Sequence, residues 1–96
     1  MIITFRDSYD KKHQFDITID VSSRQIRVVD KKTDKIEFFN MSHDDVAGYT
    51  YLLENKKYKA LKESVCEDLG ASEEEAKKRA KTMKVIFKSL KIQRFS

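Results

Sequence analysis

Eight basic side chains and no acidic one occupy the last twenty residues of this sequence. They are Lys77, Lys78, Arg79, Lys81, Lys84, Lys88, Lys91 and Arg94. Ammonium and guanidinium groups in such a run hold phosphate or carboxylate oxygens directly. The pattern therefore predicts binding of a polyanion rather than catalysis.

The spacing of five of these lysines is 4, 3, 4 and 3 residues, which draws one stripe along a helix. They are Lys77, Lys81, Lys84, Lys88 and Lys91. An apolar stripe with the same spacing lies one residue earlier, at Ala76, Ala80, Met83, Phe87 and Leu90. We therefore predict a basic C-terminal helix over residues 72–91, with an apolar edge on the protein body and a lysine edge facing a partner.

The partner of this helix is predicted from which lysines lack an acidic neighbour. Three glutamates precede the first three basic residues by four positions, so ion pairs within the helix account for those three. The later lysines have no acid four residues away and repel one another. The phosphates of RNA or DNA relieve that repulsion without base readout. An acidic protein surface is the alternative partner, and a solvated helix face needs no partner at all.

Two aliphatic residues complicate this interpretation. If the helix continues far enough, Val85 and Ile92 form an apolar spot beside the lysines, which is more typical of a protein-binding surface. If the helix ends near Leu90, Ile92 and Phe95 fold back onto the core instead. The predicted partner-binding residues are Lys77, Lys78, Lys81, Lys84, Lys88, Lys91 and Arg94, with Val85, Ile92 and Arg27 as secondary contacts.

Other reactive side chains have simpler explanations. His13 follows two aspartates in a predicted turn, and His43 stands beside Asp44 at a predicted helix start. Cys66 is a single thiol, which suits a reducing compartment. We predict no catalytic residue, no metal site and no cofactor. An enzyme with an acidic site around Asp44 and His43 is a weaker hypothesis.

The elements that must position the lysines begin with four strands in residues 1–40. Apolar residues alternate with polar ones at Ile3 and Phe5, at Phe15 to Val21, at Ile26 and Val28, and at Ile36 and Phe38. Polar stretches connect them at 7–12, 22–23 and 30–35. We predict a four-stranded antiparallel meander with one apolar face. Phe38 and Phe39 must then point to opposite faces, so one of them can be exposed beside Arg27.

Helical spacing follows in residues 42–69, with Ser42 and Asp45 as a weak capping box. Asn55 either divides this segment into two helices or lies within one. Gly70 stops it, and Ser72 with Glu75 forms a full capping box for the last helix. The predicted fold is α+β, with two or three helices packed on one face of the sheet.

Length and composition limit the functions that this protein can have. Ninety-six residues make one domain, and the net charge of +4 conceals a strongly basic end and an acidic middle. No apolar run is long enough to span a bilayer, so we expect a cytoplasmic protein. The leading hypothesis is a small non-catalytic accessory or regulatory protein, of the kind that phages encode, that binds RNA or DNA. The sequence leaves its oligomeric state open.

Overall fold

The computed structural model describes residues 2–10 and 13–86, and it shows an α+β fold with one antiparallel sheet and three helices. The strands are β1 (Ile2–Asp10), β2 (His13–Asp20), β3 (Gln25–Asp30), β4 (Ile36–Asn40) and β5 (Lys84–Val85). The helices are α1 (His43–Glu54), α2 (Tyr58–Asp68) and α3 (Glu73–Thr82). The predicted fold class and the meander of the first four strands are confirmed.

The strand order in the sheet is β4-β3-β2-β1-β5. The fifth strand is a correction, because the prediction placed residues 84–85 in a helix. β5 pairs with the free edge of β1, where Phe5 faces Val85 and Arg6 faces Lys84. The first strand of the chain is thereby enclosed between two neighbours, and β4 remains at one edge of the sheet.

One face of the sheet carries the core, which the period-two pattern predicts. Ile3, Phe5, Ile17, Ile19 and Ile26 are buried on it. Side chains from all three helices complete the cluster, namely Tyr49, Leu53, Leu61, Val65, Cys66 and Ala76. We call the opposite face, which bears Arg6, Thr18 and Arg27, the outer face.

The orientation of β4 differs from the prediction, which put Ile36 and Phe38 on the apolar face. Ile36 is 52% exposed and Phe38 is 60% exposed. The register explains the difference: buried Ile26 pairs with Phe39, so Phe39 takes the core side and Phe38 faces outward beside Arg27.

The helix boundaries follow local capping chemistry. Asn55 divides the helical segment, since it forms the C-cap of α1. Gly70 ends the α2 region with a φ of +101°, a conformation that glycine adopts without steric cost. At α1 the capping box is complete, because Ser42 Oγ accepts from Asp45 N–H and Asp45 Oδ2 accepts from Ser42 N–H. At α3, Ser72 Oγ accepts a hydrogen bond from Glu75 N–H at 3.2 Å.

A buried ion pair ties the beginning of the described chain to α3. Asp7 is fully buried on β1, and the Arg79 guanidinium binds its Oδ2, with Nε at 2.8 Å. The prediction placed Asp7 in a loop and paired Arg79 within its helix. β1 instead continues to Asp10, and burial of Asp7 requires a cation that comes from 72 residues away.

Cys66 and Gly48 have structural settings of different kinds. Cys66 is buried beside Met83, with Sγ 3.5 Å from the Met83 sulfur, and burial raises the pKa of its thiol to about 11. Gly48 lies in α1, and a Cβ built there would meet nothing within 4 Å. A side chain at position 48 would therefore meet no steric obstacle. Within residues 2–10 and 13–86, no helix is long and apolar enough to cross a membrane.

Candidate nucleic-acid interface

The charge distribution along α3 follows its dipole. Glu73, Glu74 and Glu75 occupy the first turn, and Arg79 and Lys81 lie in the last turn. Anionic side chains favour the N-terminus of a helix and cationic side chains its C-terminus. Ala76 and Ala80 are buried and fix which face of α3 meets the core, so the lysines between them face solvent.

Three predicted lysines lie on this solvent face of α3. Lys77 Nζ is 3.5 Å from Glu73 Oε1, so the predicted ion pair within the helix is present. Lys78 and Lys81 are exposed, and neither forms an ion pair with any residue that the structure describes. The free positive charge of α3 is therefore concentrated at Lys78 and Lys81.

The helix ends at Thr82, which breaks the predicted lysine stripe. Met83 is extended, with φ −67° and ψ 132°, and the chain continues as β5. Ile86 N–H donates to the Thr4 carbonyl at 2.8 Å, so the edge of β1 supplies partners for the backbone. β-branched residues at 85 and 86 also favour a strand over a helix. The helix prediction for residues 83–86 is thus wrong.

Lys84 is exposed, as predicted, but it lies on strand β5 and not on a helix. It faces Arg6 across the β5–β1 pair, on the outer face of the sheet, because Val85 takes the core side. No described acidic group pairs with Lys84, whereas Arg6 is bound to Asp16 at 2.9 Å. The Asp16 hydrogen bond and charge raise the pKa of Arg6.

Val85 does not form the apolar spot that was predicted beside the lysines. It is half-buried, packs against the core and pairs with Phe5. The rotation of a strand by 180° per residue places it opposite Lys84, whereas a helix would have left it near the lysines. The assignment of Val85 as a surface contact is therefore wrong.

Lys62 is a further cation where α3 gives way to β5, and the sequence did not indicate it. From α2, its ammonium donates to the Met83 carbonyl at 2.9 Å. That carbonyl belongs to the peptide bond between Met83 and Lys84, so Lys62 lies at the turn from α3 into β5. The sequence carries no signal of this contact, because the two residues are 21 positions apart and on different elements.

We define the basic corner as Lys62, Lys81 and Lys84. It combines the end of α3, the start of β5 and one side chain of α2. Comparisons with protein families, with curated proteins and with solved structures found no match. The interpretation of the basic corner therefore depends on its own geometry.

Of the other predicted binding residues, one lies far from this corner and four lie outside the described part of the chain. Arg27 is exposed on β3, which is three strands away from β5, or roughly 14 Å at the usual strand spacing. It lies beside Phe38 instead. Four predicted binding residues lie outside the described residues: Lys88, Lys91, Ile92 and Arg94.

Chemically, the basic corner presents ammonium groups. An ammonium is a compact point charge that attracts phosphate or carboxylate oxygens without the planar fork by which arginine selects a bidentate partner. The two arginines nearest in the structure, Arg6 and Arg79, already hold Asp16 and Asp7. The corner can therefore attract an anionic chain but has little means to read its sequence.

Proposed function

We propose that the protein binds RNA or DNA through phosphate contacts at the basic corner, as a non-catalytic accessory or regulatory protein. The observation that carries this proposal is that Lys81 and Lys84 flank Met83, whose carbonyl Lys62 binds, and that none of these lysines pairs with a described acidic side chain. A partner with repeated negative charges is the natural complement of such a cluster.

The position of the corner on α3 favours a backbone contact over groove reading. A recognition helix presents its N-terminal turn to the bases. That turn of α3 carries three glutamates, which phosphates repel. The lysines lie at the opposite end, and Lys62 offsets the negative end of the helix dipole by binding the Met83 carbonyl. The nucleic acid would therefore lie against the end of α3 and the adjoining strand.

An acidic protein surface remains the alternative partner. Its particular support was an aliphatic spot beside the lysines, and Val85 is packed against the core instead. Val85 therefore gives the protein alternative no support, and we favour a phosphate chain as the partner of these lysines.

Fluorescence anisotropy with labelled RNA, single-stranded DNA and duplex DNA over a salt series tests the proposal. We expect K81Q/K84Q to weaken binding. For duplex DNA, the slope of log affinity against log salt should become shallower by roughly 0.9 for each phosphate that a lysine no longer neutralises. The matched control is K32Q/K35Q, which removes the same charge from the exposed β3–β4 turn.

The two variants distinguish a site from general attraction. Wild-type affinity in K32Q/K35Q together with weakened binding in K81Q/K84Q supports the basic corner. Equal weakening in both would show that net charge alone acts, and the assigned site would be wrong. No binding of any nucleic acid at low salt would overturn the proposal and leave the acidic protein partner.

A further inference from the structure

The exposed edge of the sheet is the other unusual surface of this protein. All five residues of β4 are exposed, and they include Ile36, Phe38 and Phe39. Edge strands are commonly protected by proline, by charged side chains, especially lysine, or by a bulge. The chain has no proline, Glu37 is the one charged residue of β4, and the pairing of β4 with β3 is regular throughout. An apolar edge with so little protection is suited to pairing with another strand.

The hydrogen bonds to β3 fix which backbone groups remain free. Met41 N–H donates to the Arg24 carbonyl and Asp30 N–H donates to the Lys35 carbonyl, both at 2.9 Å. Since hydrogen-bonded positions alternate along an antiparallel pair, residues 35, 37, 39 and 41 face β3. Ile36, Phe38 and Asn40 therefore direct their N–H and carbonyl groups to the open edge.

We propose that a second copy of this chain occupies the edge, with two β4 strands pairing antiparallel about a two-fold axis at Phe38. In this register Phe38 faces Phe38 of the second copy, and Ile36 faces its Asn40. Each free N–H and carbonyl of the three residues then finds a partner across the axis. The two sheets become one continuous sheet of ten strands. This inference is independent of nucleic-acid binding.

Charge disfavours the neighbouring register that centres the axis on Glu37. Centring the axis on Glu37 would place two carboxylates directly opposite each other and leave Asn40 beyond the end of the second β4. Centring it on Phe38 puts Glu37 opposite Phe39 of the second copy instead. The two Phe38 rings pair at the centre of the interface.

Sedimentation equilibrium over a wide protein concentration range tests the dimer. We expect the average mass of the wild type to rise from 11.3 kDa towards twice that value. Phe38→Lys should stay at the monomer mass, because one substitution places two ammonium groups opposite each other. The matched control is Tyr51→Lys, since Tyr51 is an aromatic residue of α1 with a similar exposure of 55%. It should associate like the wild type.

Oxidative crosslinking tests the register. Directly opposed hydrogen-bonded residues lie about 5.5 Å apart at Cα, within the range that a disulfide spans. Phe38→Cys should therefore crosslink to itself, whereas Ile36→Cys should not, because residue 36 faces residue 40. The wild type controls for buried Cys66. Equal crosslinking of both variants would overturn the register. A wild type that stays monomeric at every concentration would overturn the second copy as occupant and leave β4 to a different extended peptide.

Discussion

Removing Arg79 should be among the most damaging single changes to this fold. Its guanidinium is the cation that the structure places on Asp7, whose side chain is fully buried. The second carboxylate oxygen, Oδ1, is buried without a hydrogen-bond donor among the described residues. Arg79→Met keeps much of the side-chain length and removes the charge, so it would leave a buried carboxylate without its cation.

The expected loss of stability follows from the different burial of the two partners. Breaking a buried ion pair by removing one partner costs about 3–5 kcal/mol, since the remaining charge is desolvated and uncompensated. The Asp7 side chain has no exposed surface, while 20% of the Arg79 side chain is exposed. Arg79 left alone can reach water, whereas Asp7 cannot. We therefore expect Arg79→Met to lower the free energy of unfolding by about 3 kcal/mol or more, and Asp7→Leu to lower it less.

Chemical denaturation of the two single variants and of the double variant D7L/R79M measures these costs. Replacing a whole buried ion pair by apolar residues of similar volume is often nearly neutral. The double variant should therefore recover most of the stability that Arg79→Met loses. The midpoint should move while the slope with denaturant stays constant, because the folded structure is retained.

Two results would refute this reasoning. A loss below about 1 kcal/mol in Arg79→Met would place the pair in the range of a surface ion pair, contrary to the burial of Asp7. A double variant less stable than both single variants would show that the two side chains contribute separately. In that case the contact in the structure would have no energetic coupling.

Two further predictions concern capping and the buried thiol. Ser42→Ala should lower the free energy of unfolding by about 1 kcal/mol or more, and Ser72→Ala by less, because the capping box of Ser42 has two reciprocal hydrogen bonds. Thermal unfolding of the two variants measures the difference. Burial raises the pKa of the Cys66 thiol from 9.0 to about 11 in the folded protein. The thiol of the unfolded chain therefore ionises at lower pH than that of the folded chain, so the free energy of unfolding should fall as the pH increases from 9 to about 11. Cys66→Ala should flatten the pH dependence of unfolding across that window, and an unchanged slope would contradict the assignment.

Much of the fold could be predicted because its signals are local. Alternation at Ile17 and Ile19 predicts a strand with one buried face, and Ser42, Asn55 and Gly70 mark helix boundaries within a few residues of where they act. The alternation also predicted Ile36 and Phe38 as core residues, which was wrong. The pairing of Ile26 with Phe39 decides which side chains of β4 face the core, and such pairing joins residues that are distant in the sequence.

The candidate site was harder to predict because its geometry depends on distant residues. A spacing of 4 and 3 suits a helix through Lys84, but β5 gains its partners from β1, about eighty residues earlier in the chain. A two-residue strand is too short to show a pattern of its own. Lys62 reaches the same turn from α2, and only the packing of α2 against α3 brings it there. Lys81 and Lys84 were identified from the sequence, while Lys62 and the arrangement of the three lysines were not.

The place of β1 between β2 and β5 has a consequence for how the protein is made. The N-terminal strands can pair as soon as they are synthesised, but one edge of β1 stays open until residues 84–86 are available. The cation for Asp7 arrives only slightly earlier, with α3. During that interval the nascent meander has two open edges, β1 and β4, and open edges pair with other chains. The risk of misassembly therefore depends on how quickly α2 and α3 are translated, and not on the stability of the finished fold.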